Sequence, residues 1–354
     1  MSCTLLALLA LAPLQGPGGV YQPGRMQERE DLEAYVTPPS QEGVEEGFWL
    51  VQEDVRLHHF AEGQGQDVLF LHGGPGFPPH APAAGLSLLE DRFRVHYYHQ
   101  RGCGLSTRPF DRFESPNFMA NVVPLIQTLG IQQHVADVER IRRILGREQL
   151  TLVGHSFGGY IATLYAIEFP ERVERLVLVS PAEILKMPVP GGGMFEKLKE
   201  KLPEGEVREE YDQYLARFFG TFGAIFQKSE EELVALNREF AGFYVQALEA
   251  QGLSTAGVGA PEGYDSGWMP FGAYFSLGMS YDHTPALARI TCPVLIVHGA
   301  RDIGMGREAL APYETIENAT VAVIPDAGHF AFDERPVEFA GLLKGDAGER
   351  ESGD

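Results

Sequence analysis

The chain is poor in cysteine: Cys3, Cys103 and Cys292 are the only three in 354 residues, and they lie far apart. The paired spacings that zinc and dithiol motifs need are missing, so neither a disulfide scaffold nor a cysteine-based metal site is expected to organise the fold. Positive charge is also scarce. Against 49 Asp+Glu there are 28 Lys+Arg, a formal net charge of −21. Binding a polyanion needs clustered Lys and Arg to displace counterions, and no such run occurs. Nucleic acid and anionic membrane surfaces are therefore not expected partners. Long apolar runs are lacking as well: Leu5 to Leu14 is apolar, about half of the roughly 20 residues that span a bilayer. That run has the apolar character of a secretory signal, but no Lys or Arg precedes it and Pro13 follows Ala10-Leu11-Ala12. A start at Met26 is a further reading. The expectation is a cytoplasmic protein, secreted or periplasmic if residues 1–25 act as a signal peptide.

What is present is the composition of an ordinary folded protein, 44% hydrophobic and 22% charged, on a chain long enough for two domains or one interrupted domain. Its acidity has a plain reading, solubility, and a sharper one, attraction of a cationic ligand. Residues 15 to 47 are rich in Gly, Pro, Gln and Glu without a hydrophobic period, which predicts a flexible or loosely docked arm (1–47), with the folded part starting near Phe48. From there short strands are expected at Trp49 to Asp54, Val55 to Phe60, Asp67 to Leu71 and Arg94 to Tyr98. The spacing of Val135, Val138, Ile141, Ile144 and Leu145 predicts a helix, leading into a strand at Leu150 to Val153. A small-residue helix to about Glu168 and a strand at Leu176 to Val179 follow. Val294 to Val297 and Thr320 to Ile324 read as strands buried on both faces. Strands alternating with helices imply an α/β fold, a mostly parallel sheet with helices on both faces.

The alternation stops between Ala182 and Pro285. Pro188 to Gly193 reads as a loop, and Tyr211, Tyr214, Leu215, Phe218 and Phe219 recur at helical spacing. Ser229 with Glu232 three residues on forms a capping box ahead of Leu233, Leu236, Phe240, Phe243 and Ala247. The expected organisation is a core in two parts, 48–181 and 286–345, split by a helical lid at 182–285 and followed by an acidic tail at 346–354. A lid over the carboxyl edge of a parallel sheet would enclose a cleft.

Gly154-His155-Ser156-Phe157-Gly158 fits G-x-S-x-G between an expected strand and an expected helix. Small residues two before and two after the serine let the chain turn sharply and lift the hydroxyl above the sheet, so Ser156 is the candidate nucleophile. A serine needs a base, and the base needs an oriented carboxylate. Asp302 follows the strand Val294 to Val297 within His298-Gly299-Ala300-Arg301-Asp302, and is the candidate acid. His329, in Pro325-Asp326-Ala327-Gly328-His329-Phe330 after the last strand, is the candidate base. Asp326 is a rival acid whose closeness to His329 in sequence better suits a turn. His155 belongs to the elbow, His298 to a strand end, and His134 reads as a surface helix residue. For the oxyanion, the Phe157 N–H supplies one donor and the loop His72-Gly73-Gly74-Pro75-Gly76 a second, from Gly74.

In this order, HGGPG at 72 to 76, QRGCGLS at 100 to 106, GHSFGG at 154 to 159, HGARD at 298 to 302 and DAGHF at 326 to 330 resemble the proline iminopeptidase branch of the α/β hydrolases, over roughly Phe48 to Leu343. The resemblance implies an α/β-hydrolase fold and hydrolysis of the bond after an N-terminal proline, with the free amine held by lid carboxylates. Two departures stand out: His99 replaces the Asp common before Gln-Arg-Gly, and the lid has Phe243 to Glu249 as only a loose counterpart of a Trp-x-x-Trp-Glu pattern. Glu232, Glu239 and Glu249 are the carboxylates available to bind an amine. For each the simpler reading is preferred: Glu232 caps its helix, and Glu239 and Glu249 sit on solvated faces.

The expected activity is thus that of a serine hydrolase, a proline-iminopeptidase-like aminopeptidase acting through an acyl-enzyme. The alternatives are a carboxylesterase or lactonase acting on a small apolar acyl group, and a catalytically silent ligand-binding receptor. A small peptide or ester is the expected partner. No metal and no cofactor is called for.

Overall fold

The computed structural model describes residues 20–189, 192–259 and 261–345. The apolar run 5–14, two residues of the loop expected at 188–193 and the acidic tail 346–354 fall outside the described residues. In chain order the first half comprises α1 (Leu32–Val36), β1 (Phe48–Gln52), β2 (Val55–Gly63), β3 (Gln66–Leu71), α2 (Ala84–Ser87) and β4 (Phe93–Tyr98). It continues with α3 (Phe118–Leu129), α4 (Ile131–Ile144), β5 (Leu150–His155), α5 (Phe157–Glu168) and β6 (Val173–Val179). Then come β7 (Lys186–Met187), α6 (Gly193–Lys201), α7 (Glu206–Thr221), α8 (Glu230–Ala250), α9 (Trp268–Leu277) and β8 (Tyr281–Asp282), before β9 (Val294–Gly299), β10 (Ala319–Ile324), α10 (Ala331–Glu334) and α11 (Pro336–Gly345) close the fold.

Eight strands form one sheet in the order β1-β2-β4-β3-β5-β6-β9-β10. The first two pairings, β1 with β2 and β2 with β4, are antiparallel, and the rest are parallel. β5 lies inside the sheet and all six of its residues are buried, as expected of a strand covered by helices on both faces. On one face, Leu152, Ile161 and Leu164 pack with Val135 and Val138 of α4. On the other, Val153 and Val177 pack with Leu86, Phe332 and Phe339. β10 departs from its expected double burial. It is the edge strand beside β9, and of its residues only Ile324 is buried. Its β-branched composition is that of a central strand, and composition alone does not distinguish the two places.

Residues 20–47 overturn the expectation of a loose arm. Tyr21, Met26 and Val36 are buried in the main core, and the carboxylate of Glu168, itself fully buried at the end of α5, accepts from Tyr21 OH (2.7 Å), Gly24 N–H (2.8 Å) and Met26 N–H (3.1 Å). Further along, Glu33 pairs with Arg143, and Arg140 donates to the Tyr35 carbonyl. This cover explains a second departure: His134, expected at a helix surface, is buried, as are Asp137, Glu139 and Arg140 of the same helix. Asp137 is held by both Arg101 (2.6 Å) and Arg140 (2.8 Å), so these charges are buried as a hydrogen-bonded network rather than singly.

The helices α6 to α9 lie between β6 and β9 and build a separate aromatic cluster that includes Tyr211, Tyr214, Phe218, Phe243 and Trp268. The capping box at α8 is present in full: Ser229 Oγ accepts from the Glu232 N–H, and Glu232 Oε2 accepts from the Ser229 N–H. The two-residue strands β7 and β8, for which the sequence carries no recognisable signal, pair at the base of this segment. Among the described residues no helix is long and apolar enough to cross a membrane.

Candidate active site

The site is built at the turn between β5 and α5. Ser156 adopts φ 52 and ψ −118, a region that costs a non-glycine residue on the order of 1–3 kcal/mol and persists only where the surroundings impose it. They do so here: Ser156 N–H donates to the Val179 carbonyl, while its own carbonyl accepts from Tyr160 and Ala182. The flanking glycines leave no alternative. A Cβ on Gly158 would sit 2.1 Å from the Leu71 carbonyl oxygen, and one on Gly154 would sit 2.7 Å from that of Gly158.

β9 and the loop after β10 bring the other two candidate residues together. His329 Nδ1 and Asp302 Oδ2 are 2.7 Å apart, with the Asp302 side chain fully buried and that of His329 11% exposed. Asp302 Oδ1 accepts from the Gly304 and Met305 N–H groups, both at 2.9 Å. Burial works to raise the Asp302 carboxyl, but the His329 ring and these hydrogen bonds prevail and hold it below the usual carboxylate range. A carboxylate that accepts at Nδ1 fixes the His329 tautomer and leaves Nε2 to face the cavity chemistry. Asp326, the rival acid, is instead exposed beside Arg335.

His155 reinforces the arrangement from below. Its Nε2–H donates to the His329 carbonyl at 3.0 Å, and its ring lies against those of His329 and Phe330. Burial pushes its pKa well below the ordinary value, so it acts as a neutral strut. His72 plays a similar part: it donates from Nδ1 to the Gly73 carbonyl, accepts the Gln100 N–H at Nε2, and is pushed by burial down to about 3. The HGGPG and QRGCGLS loops are therefore braced against each other. His99 belongs to the same brace, accepting from the Leu105 N–H and donating to the Pro79 carbonyl. Of the glycines in these loops, Gly73 lies against Ser156, since a Cβ there would be 2.9 Å from Ser156 Cβ, and Gly74 has φ +118. Among the described residues neither the Gly74 N–H nor the Phe157 N–H has an intramolecular acceptor.

Ser156, His329 and Gly74 open onto one cavity of about 390 Å³, closed on the far side by Met194, Phe240 and Tyr244 of the inserted helices. The three lid carboxylates do not reach it. Glu232 is held in its capping box, Glu239 pairs with Arg217 at the surface, and Glu249 is exposed at the end of α8. Their helix presents its aromatic face inward and its charged face to solvent, which agrees with the simpler reading preferred for all three and leaves none of these candidates at the cavity. Tyr244, within the loose counterpart noted at Phe243 to Glu249, is what α8 offers instead. Its ring stands edge-on to His329 at 6.3 Å, and its buried hydroxyl has no partner. The carboxylate that does line the cavity, Asp333, lies in the core four residues after His329, where no motif singles it out.

A family model described as alpha/beta hydrolase fold matches residues 68–336. Among characterised relatives, the proline iminopeptidase of Lactobacillus delbrueckii subsp. bulgaricus is 26% identical over 287 residues, covering 78% of this chain and 88% of that protein. The proline iminopeptidase of Heyndrickxia coagulans is 27% identical over 288 residues, covering 79% and 90%. Among solved structures, an esterase from Exiguobacterium antarcticum aligns with a TM-score of 0.53 at 21% identity, over 82% of this chain and 95% of that one. An esterase from Thermogutta terrifontis aligns with a TM-score of 0.52 at 21% identity, over 82% and 92%.

Proposed function

Because the chain belongs to the α/β-hydrolase fold family and is a hydrolase, we propose that Ser156 is its nucleophile and that it works as a proline-iminopeptidase-like aminopeptidase, releasing an N-terminal residue, proline preferred. The observation that carries the chemistry is the strained Ser156 opening onto the same cavity as a His329 fixed by Asp302. Similarity to two proline iminopeptidases over most of their length, together with the HGGPG and QRGCGLS loops, supports the substrate class.

Ser156 Oγ attacks the carbonyl carbon as His329 takes its proton, with Asp302 steadying the imidazolium that results. The N–H groups of Phe157 and Gly74 receive the oxyanion; one such donor is worth about 3 kcal/mol of transition-state stabilisation. His329 returns the proton to the departing amine, leaving an acyl-enzyme. Water, activated by the same ring, then releases the acyl group and restores Ser156.

A second reading, an ester hydrolase for small apolar acyl groups, is favoured by one observation: the cavity wall formed by the inserted segment carries Phe240, Val258 and Met194 and, among the described residues, no carboxylate. Comparing kcat/KM for a prolyl arylamide and a short-chain aryl ester, each with the wild type and Ser156→Ala, separates the two. Turnover of the arylamide, falling by about 10⁶-fold in the variant, is the expected result. Ester turnover alone moves the assignment to the second reading. Activity that survives in the variant removes Ser156 from the mechanism, and binding without turnover of either compound supports a silent receptor.

A further inference from the structure

The cavity has a limb that the mechanism does not use. From His155, beside the nucleophile, the ring of Phe332 stands edge-on at 5.0 Å; Phe70 meets Phe332 at 5.6 Å and Tyr97 at 5.3 Å. Tyr97 OH accepts from the Ala83 N–H, and the next amide, Ala84 N–H, donates to Asp333 Oδ1 at 2.9 Å. All of these side chains except that of Ala84 line the cavity. The limb therefore runs from Ser156 along aromatic rings to a carboxylate.

Asp333 is a half-buried carboxylate without a countercharge. Among the described residues no Lys or Arg lines the cavity, and Asp333 has no ion pair. Its single side-chain bond, to Ala84, engages Oδ1 and leaves Oδ2 unengaged. The adjacent Glu334, whose oxygens accept from the Gly328 and Phe330 N–H groups, adds a like charge. Burial raises the Asp333 carboxyl above its ordinary range; the Ala84 N–H offsets part of this, the Glu334 charge adds to it, and no cation contributes. A half-buried anion in an apolar wall calls for a cation, and aromatic faces beside it favour an ammonium group further.

We infer that the substrate carries a protonated amine, separated by an apolar stretch from the bond that Ser156 attacks, and that Asp333 holds this amine at the end of the aromatic limb. The inference rests on Ser156 being the reacting serine; where an N-terminal proline is released, the amine at Asp333 belongs to the departing part of the substrate, because the proline nitrogen lies one carbon from the attacked carbonyl.

The test uses hexylamine and hexanol, which share an apolar chain and differ in charge, titrated calorimetrically into the full chain and into Asp333→Asn. Asparagine keeps an oxygen for the Ala84 N–H, and equal melting temperatures of the two proteins verify that α2 stays in place. The wild type is expected to bind hexylamine about tenfold more tightly than hexanol, and the variant to bind the two alike. Equal affinities in the wild type, failure of hexylamine to bind, or a preference that persists in the variant each overturns the inference. In a second arm, hexylamine is expected to slow labelling of Ser156 by a fluorophosphonate in the wild type and to lose that effect in the variant. Absence of labelling altogether counts against Ser156 as nucleophile, while the binding arm still reads Asp333 by itself.

Discussion

The two walls of the cavity are made on different terms. On the core side polar groups are mutually engaged: Asp302 accepts from three donors, His155 holds the carbonyl of His329, and His72 and Gln100 tie two loops together. The side formed by α6 to α8 turns its charges to solvent, presents Met194, Phe240 and Tyr244 to the cavity, and leaves the Tyr244 hydroxyl without a partner. Bond breaking needs atoms held to within about half an ångström. Choosing a substrate needs only a surface of the right shape and charge. The division of labour implied is that the mutually engaged groups of the core determine the reaction, while the aromatic surfaces on both sides, with Asp333 on the core side, select what enters.

That division is broken or sharpened by substitutions taken in order of expected effect. Asp302→Asn should lower kcat by about 10⁴-fold, since the His329 tautomer loses its anchor; a fall of less than tenfold would mean that another carboxylate orients the base. The same pair gives a pH signature. Because the folded-state pKa of Asp302 is depressed, its contribution to stability is fully present above the ordinary carboxylate range and is lost as pH falls through the depressed value. Urea unfolding across acidic pH should therefore show a shallower loss for the variant than for the wild type.

Next in size is Glu168→Ala, which removes the acceptor of three hydrogen bonds from residues 21–26 and should cost about 3 kcal/mol in urea unfolding. Here the sign reverses. Burial raises the folded-state pKa of Glu168, so the wild type gains stability as pH falls through that raised value, and the variant should lack this gain. Tyr244→Phe deletes a buried hydroxyl that has no partner and should leave stability unchanged or slightly higher, by less than about 1 kcal/mol. Smallest of all, Glu239→Gln should change kcat/KM by less than about twofold, because an exposed ion pair is worth little. A tenfold fall in that variant would return the α8 carboxylates to the active site.

The sheet and the catalytic constellation are legible in the sequence because each rests on a local pattern. Short apolar runs mark β3, β5, β6 and β9, and Ser156, Asp302 and His329 all follow strands within a few residues, so topology alone carries them to one edge. What escapes the sequence is what tertiary contacts decide. Residues 20–47 have no hydrophobic period, and their anchorage depends on a carboxylate more than a hundred residues away. The charged face of α4 looks like a surface until that segment covers it. Asp333 carries no motif, and its exposure to the cavity follows only from where α10 meets α2. The orientation of α8 is legible as well, since Leu233, Leu236, Phe240, Phe243 and Ala247 recur at helical spacing while Glu239 and Glu249 read as solvated.

The segment that begins the described chain has a mechanical consequence. Tyr21 N–H donates to the Ser276 carbonyl on α9, and three residues of its run grip Glu168 at the far end of the nucleophile's own helix. It is therefore a clasp joining the last of the inserted helices to the core.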